Sequence, residues 1–571
     1  MLFRLAFAEE FRAKGCAGFC RSHAADFSAG VSVIGLLVPE AVAYAGIAGM
    51  PPASGFVALF FGMLCYLMLG SSRFAVVSAT SSSAMVLAAT VGMQLTTHPN
   101  ASPETLAAVL VMLTGFWFVL ARFMGFGQIG NFVAKPVLRG VTMGLALTII
   151  LMQIPKLFGL HAAGASSWEK IANAAAHASS ISPAAAAVGL ISLAVLFLWR
   201  WPRQPASLWV VVAAVAATYF FPLEQMGVEL VGDFELSGSA ISLSTLADAD
   251  WPGAIQMSAA LCLMVYAESY SSIHSSAERH GDEPNANKDI FALGICNLTS
   301  GLFGGLAVGA GFSATSLNES AGAQSKVSTL TALLVFLVAV ALLLPQVSRI
   351  PEPVLAAIVI KAVSHGLSWK PLVPYFKWRR DRVLVIASFF AVAVLGVLNG
   401  LLISVVLSVA FILIRDSKPH VSVLRRLPGS HSFVNEKLFT ETISIPGVLV
   451  LRLDQPLFFA NAEPSLKIAK QILAETQESR HITEVILSME ESADLDGTCV
   501  EMLLGFEKHV SQRGCTLTFC RLHRRARQVL MTAAYPRMPL DRLSLLSVDR
   551  AVKEALARIG ERAQKQEPAE P

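Results

Sequence analysis

The sequence predicts a multi-pass α-helical membrane protein that carries one small α/β domain at its C-terminal end. Three observations lead there. The 571 residues are 54% hydrophobic and only 15% charged, with a mean hydropathy of +0.59, whereas a soluble domain carries about 25% charged residues. Apolar runs near the length needed to cross a bilayer, about 20 residues each, recur from Gly30 to Ile414. Roughly fourteen such segments can be read, several of them short. After Arg415 the composition turns to short apolar strands alternating with helical patterns, the βαβ rhythm of a single α/β domain.

Residues 1–27 read as an N-terminal segment on the cytoplasmic side. Its Phe3 to Cys20 stretch holds Glu9, Glu10, Arg12 and Lys14, which disqualifies a signal peptide and suggests an amphipathic lead-in helix. The membrane region follows over 28–416. Two segments in it start with the same four residues, Ser78-Ala79-Thr80-Ser81 and Ser313-Ala314-Thr315-Ser316. The stretches around them, Ser71 to Gly92 and Leu306 to Ala323, fall short of a full span. Discontinuous helices are expected there, since irregular backbone at membrane depth is tolerated only where it lines a polar cavity. A helix that begins inside a membrane presents unpaired N–H groups and a positive dipole end, and two such ends facing each other make an anion site. Ser78, Ala79, Thr80, Ser313, Ala314 and Thr315 are therefore candidate substrate contacts, with Phe312 as a candidate lining residue. Upstream of each copy lies a carboxylate in apolar sequence, Glu40 and Glu268; ionisable groups within membrane segments mark function by default.

Charge placement predicts orientation. With a cytoplasmic N-terminus, the inside loops hold Arg73, Arg122, Lys135, Arg200, Arg203, Arg279, Lys288 and Lys326, and the cluster Lys370 to Arg382. The loop from Pro222 to Trp251 holds Glu224, Glu229, Asp233, Glu235, Asp248 and Asp250 but no Lys or Arg. That asymmetry is the positive-inside pattern, which Lys156, Lys170 and Arg349 break locally. Both termini are then cytoplasmic, and the location expected is a bacterial inner (plasma) membrane. The eight cysteines show no metal-ligand spacing, and pairs such as Cys16 and Cys20, or Cys515 and Cys520, fall on the reducing side. No metal site is expected. His274 and His280 read as solvated groups of an inside loop. The net charge of +4 follows from membrane topology and gives no reason to expect nucleic acid. Neither a nucleophile with a base partner nor a Gly-rich phosphate loop with Lys is present, which disfavours an enzyme or an ATP-driven pump.

In the C-terminal region, strands are expected over Gly447 to Leu453, Thr483 to Met489 and Thr516 to Leu522. Helices are expected over Ser465 to Ser479, Gly497 to Gln512, Arg524 to Ala534 and Val548 to Ile559. The domain is placed at 436–560, after a linker over 417–435. Gly560 reads as a helix C-cap, and 561–571 as a charged, disordered tail.

Several stretches now carry a resemblance. Pro39-Glu40-Ala41-Val42-Ala43-Tyr44-Ala45 with Ala48 to Gly55, Gly130 to Gly140, and the set Glu268-Ser269, Gly281, Asn287, Gly294, Asn297 and Gly304-Gly305 resemble signatures of the SulP (sulfate permease) family of anion transporters. Pro456 to Glu463 and Asp494-Leu495-Asp496-Gly497-Thr498 resemble landmarks of its STAS domain. The resemblance implies seven helices plus an inverted seven, a core domain moving against a gate domain, and a C-terminal cytoplasmic STAS domain. It also implies Glu40 and Tyr44 lining the substrate site with Glu268 beside it as a coupling carboxylate, and a homodimer in which STAS makes contacts or binds a cytoplasmic partner. The chain departs from the pattern in three places. Ser313-Ala314-Thr315 stands where relatives often have Ser-Arg-Thr, Ser78-Ala79 stands for Gly-Pro, and Glu40 stands for a common glutamine.

These departures set the expected mechanism. Two helix ends offer roughly half a positive charge each, against two carboxylates with no Lys or Arg nearby in sequence. A small anion, sulfate-type, bicarbonate or dicarboxylate, then needs a co-transported cation to neutralise at least one of them. A proton on Glu268 or Glu40 is favoured over sodium, for which Glu268, Ser269 and Ser272 would supply oxygens. Beyond H+ or Na+ no cofactor is expected. The alternatives are a sodium-coupled bicarbonate symporter, an uncoupled exchanger or channel, and a regulatory membrane module.

Overall fold

A computed structural model of the chain describes residues 22–97, 102–125, 134–160, 167–199, 206–232, 251–370, 372–534 and 539–566. The lead-in stretch Phe3 to Cys20, Arg200 and Arg203, residues 130–133, the acidic loop over 233–250 and residues 567–571 lie outside these. The chain separates into two compact units, residues 1–409 and 410–571.

Among the described residues, and apart from the helices Ser167–Ala176 and Val373–Phe376 that lie between them, fourteen helices build the membrane unit in two sets of seven. The first set is α1 (Ala24–Ala48), α2 (Pro52–Leu69), α3 (Ser81–Thr97), α4 (Pro103–Phe123), α5 (Lys135–Leu157), α6 (Pro183–Leu198) and α7 (Ala206–Phe220). The second is α8 (Trp251–His280), α9 (Ala286–Leu302), α10 (Phe312–Ser320), α11 (Val327–Val347), α12 (Glu352–Ser364), α13 (Arg379–Leu395) and α14 (Val397–Asp416). Breakers set several boundaries. Gly49, left-handed at φ 70°, ends α1, and Pro51 and Pro52 start α2, where proline's missing N–H costs nothing. Since α8 runs to His280, His274 and His280 are helical rather than in a loop; His274 stacks on Tyr270 with ring centroids 3.8 Å apart.

The third helix of each set is broken, as its length predicts. Short strands β1 (Val77–Ala79) and β2 (Val308–Ala310) precede α3 and α10 and pair antiparallel, Val77 opposite Ala310 and Ala79 opposite Val308. This corrects the reading of the repeated tetrapeptide. The structural repeat relates Val77 to Val308 and Ser81 to Phe312, so Ser78 matches Gly309 in place, not Ser313. The two copies sit one helical turn out of step, one across a strand and a cap, the other wholly within a helix. Composition of small and hydroxyl residues marked both sites; the exact letters did not.

The helices sort into two packed groups. In the core group α9 packs on α2 and α4, α8 on α3 and α4, and α11 on α1. In the gate group α13 packs on α5, α12 on α5 and α6, and α7 on α6. Small residues permit the closest crossings. A β-carbon at Gly140 or Gly144 of α5 would meet the Val385 carbonyl at 2.4 Å or the Phe389 carbonyl at 2.8 Å on α13, the small-xxx-small solution to helix contact in lipid. Buried acids also fasten the core. Asp289 accepts from Tyr66 Oη at 2.9 Å and from Ser71 N and Oγ at 2.6 Å, and Asp26 accepts from the Gln324 and Ser325 amides at 2.7 and 3.0 Å.

The second unit holds a five-stranded sheet ordered β4-β3-β5-β6-β7, with β3 (Val421–Arg426), β4 (Phe433–Asn435), β5 (Gly447–Leu453), β6 (Ile482–Ser488) and β7 (Thr516–Cys520). β5, β6 and β7 are parallel and the other two antiparallel. Helices α15 (Ala462–Ser479), α16 (Gly497–Gln512) and α17 (Arg524–Ala534) cover one face, and α18 (Val548–Gln566) the other. The expected linker over 417–435 is instead two strands of this sheet. The expected tail is corrected too, because α18 runs through Gly560 to Gln566. The reason is electrostatic. Glu484 on β6 is fully buried, and Arg558 and Arg562 reach it at 3.1 and 3.5 Å; a charge buried in a sheet requires such partners, and Arg562 can supply one only if the helix continues. Asp496 caps α16, accepting from the Cys499 amide at 2.7 Å and the Phe459 amide at 2.9 Å. Those N–H groups hold its carboxyl below the usual carboxylate range.

Candidate functional site

A cavity of about 820 Å³ lies between the core and gate groups. Its core wall comes from α1, the β1–α3 junction, α8 and the start of α10; its gate wall comes from α5, α6, α7 and α12. Of the residues singled out in the sequence, Glu40, Tyr44, Ser78, Ala79, Thr80, Glu268, Phe312, Ser313 and Ala314 all line it. Thr315 and Ser272 do not. Thr315 Oγ1 accepts from the Val76 amide at 3.4 Å, and Ser272 Oγ donates to the Gly311 carbonyl at 3.3 Å. Ser269 Oγ likewise accepts from the Ala310 amide at 2.9 Å, so these hydroxyls hold β1, β2 and the α10 start in place. Asn297 serves the same end, bonding both the N–H and the carbonyl of Val308 at 2.9 Å.

Glu40 sits on α1 directly after Pro39. Proline has no N–H, so the Gly35 carbonyl loses its helical partner, and Ser207 Oγ of α7 donates to it at 3.3 Å. Glu40 is 1% exposed, and its Oε1 has no hydrogen-bond partner among the described residues. Tyr44, one turn on, lies beside both Glu40 and Glu268.

Glu268 is the centre of the polar network. Its Oε2 accepts from Thr80 Oγ1 at 3.0 Å and from Ser82 Oγ in a short contact. Thr80 is also the cap of α3, since its Oγ1 accepts from the Ser83 amide at 3.1 Å. At the matching place on α10 the cap is Gly311, which offers no side chain. The carboxylate is thus bound to the very hydroxyls that dress one of the two inward-facing helix starts.

Sequence reasoning missed one charge. Lys361 of α12 lines the cavity from the gate side, its Nζ 4.3 Å from the Phe197 ring centroid, a cation–π distance. The signal was present. A lone Lys in the apolar run Pro353 to Val363 meets the same criterion that flagged Glu40 and Glu268. Ser81, Ser82, Thr142 and Ser207 are further polar lining groups that only the packing brings together.

Residues 24–386 match the Sulfate permease family, and residues 440–555 match the STAS domain. The chain belongs to the sulfate permease family. Members of that family are transporters, not enzymes. The chain is 28% identical over 517 residues to a probable sulfate transporter of Mycobacterium tuberculosis, covering 89% of this chain and 91% of that one. It is 27% identical over 509 residues to the chloroplastic sulfate transporter 4.1 of Arabidopsis thaliana, covering 84% and 72%. Its fold is similar to the murine Solute Carrier 26 family member A9 anion transporter in the inward-facing state, with TM-score 0.83, 20% identity, and coverage of 93% of this chain and 91% of that one. It is also similar to the transmembrane domain of the cyanobacterial bicarbonate transporter BicA, with TM-score 0.60, 19% identity, and coverage of 68% and 98%.

Proposed function

We propose that this sulfate permease family member is a secondary active transporter of a small sulfate-type oxyanion, driven by protons, in which the core group carries the site past the gate group. One observation carries the coupling. Glu268 accepts from the Thr80 and Ser82 hydroxyls, the donors that an anion at the start of α3 would use. While Glu268 is ionised it occupies them. Once it takes a proton, those hydroxyls and the N-terminal end of α3 are released toward the anion. Lys361 modifies the charge balance expected from sequence. Among the described lining residues, its ammonium and two helix ends stand against two carboxylates, a near-neutral balance in which a divalent anion still calls for at least one proton. The sulfate transporters among its relatives support sulfate over bicarbonate or a dicarboxylate.

Sodium is the second reading, favoured by the convergence of three oxygens at Glu268. Its shell would draw on Thr80 and Ser82, because Ser269 and Ser272 are engaged elsewhere. The deciding experiment is uptake of labelled sulfate into sealed proteoliposomes under an imposed pH gradient, or under a sodium gradient at equal pH. Accumulation with the proton gradient alone supports the proposal. With Glu268→Gln, accumulation is lost while sulfate-for-sulfate exchange persists, since an amide donates and accepts but does not exchange a proton. Full accumulation in both Glu268→Gln and Glu40→Gln would refute carboxylate coupling. Residence in the plasma membrane with both termini cytoplasmic, and a STAS domain engaged in dimer contacts or partner binding, complete the reading.

A further inference from the structure

A second cavity, about 390 Å³, lies between α7 and α11 with α1 as its floor. Its wall is almost entirely carbon, from Leu208, Val212 and Ala216 on one side and Val340 and Val347 on the other. Val212 is half exposed, so among membrane helices the groove faces hydrocarbon. From Leu208 to Tyr219, α7 rises about 16 Å, close to half of the roughly 30 Å hydrocarbon core and therefore to one leaflet.

The groove is apolar along its length and polar at one end. There Tyr219 Oη donates to Gln346 Oε1 at 2.8 Å, joining α7 to α11, and the Arg349 guanidinium lies 4.5 Å over the Tyr219 ring. Arg349 is exposed and forms no ion pair among the described residues; the carboxylate closest to it in sequence, Glu352, pairs with Lys156 at 3.9 Å. A cation with no acidic partner among the described residues, at the end of a leaflet-long apolar slot, has the chemistry of a phospholipid seat.

We propose that this groove binds one acyl chain of a phospholipid whose net-negative headgroup sits on Arg349. The chain lies between the gate helix α7 and the core helix α11, against Val38 and Pro39, which immediately precede Glu40 on α1. Lipid binding here does not depend on which anion or co-ion is carried, so its test stands apart from the transport reading.

The test is native mass spectrometry of the full chain in mild detergent, offered phosphatidylglycerol and phosphatidylcholine with identical acyl chains. The wild type is expected to retain one lipid and to prefer phosphatidylglycerol about fivefold, as one arginine near an anionic headgroup implies. Arg349→Gln keeps the lipid but binds both headgroups alike. Val212→Trp, at a half-exposed position that tolerates bulk, fills the slot and loses the retained lipid. Equal retention in wild type and Val212→Trp, or an unchanged headgroup preference in Arg349→Gln, would overturn the proposal.

Discussion

Lys361 and Ala314 face each other in charge logic across the cavity. The resemblance to the family pattern implies an arginine where this chain has Ala314, and among the described lining residues a cation, Lys361, comes from α12. A unit charge about 8 to 10 Å from a bound divalent anion contributes about 2 to 4 kcal/mol at an effective dielectric of about 20 to 40. Lys361→Gln is therefore expected to raise the uptake KM at least about thirtyfold, with the protein still reaching the membrane. Ala314→Arg in that background restores affinity, because arginine stays protonated. It also flattens the pH dependence of uptake and lowers final accumulation, since an anion held by a permanent cation crosses without its proton. Uptake kinetics at two pH values check all three effects; an unchanged KM in Lys361→Gln would remove the lysine from the site.

At the scale of elements, two packing devices can be tested. The α5–α13 crossing depends on Gly144, whose β-carbon position lies 2.8 Å from the Phe389 carbonyl. Gly144→Leu forces backbone apart inside the gate group and is expected to cost more than 3 kcal/mol, the range of severe overpacking, read as loss of the detergent-stable fraction. Gly92, with open space around its β-carbon position, tolerates alanine and is the control. In the C-terminal domain, a stop after Gly560 deletes Arg562 and leaves the buried Glu484 with Arg558 alone. Breaking such a pair outright costs about 3 to 5 kcal/mol, so losing one of two partners is expected to cost about 1 to 2 kcal/mol. Hydrogen exchange of β6 should accelerate about tenfold in the truncated chain. Glu484→Gln, which removes the charge in need of partners, relieves most of that effect.

For the whole molecule, the charge bias predicts which side faces the cytoplasm. Glu224 and Arg380 are both exposed, and the charge bias assigns them to opposite sides. A cysteine at Glu224 is expected to react with an impermeant thiol reagent added outside intact cells, and one at Arg380 only after permeabilisation. The reverse pattern would invert the proposed orientation. The same assignment places the STAS domain in the cytoplasm. There the loop residue after Asp496 is Gly497, which has no hydroxyl, and Thr498 sits exposed on the first turn of α16.

Local sequence was enough for the membrane class, the two broken helices, the placing of Glu40 and Glu268, which line one cavity, in apolar membrane sequence, and the βαβ domain after the last span. Each of these rests on local quantities: hydropathy over a span's length, interruption of that span, and charge where charge is costly. Only tertiary structure decided what depends on distant partners. The offset between Ser78 and its true counterpart Gly309 is set by the pairing of β1 with β2. Thr80 and Ser82 reach Glu268 from 188 and 186 residues away. Lys361 becomes part of the site because α12 packs against α5, α6 and α1. The end of α18 is set by a glutamate on β6 that no window around Gly560 contains. Burial and helix starts are written in composition; which charges meet is written in packing, because Coulombic and hydrogen-bond partners are chosen by the fold and not by sequence separation.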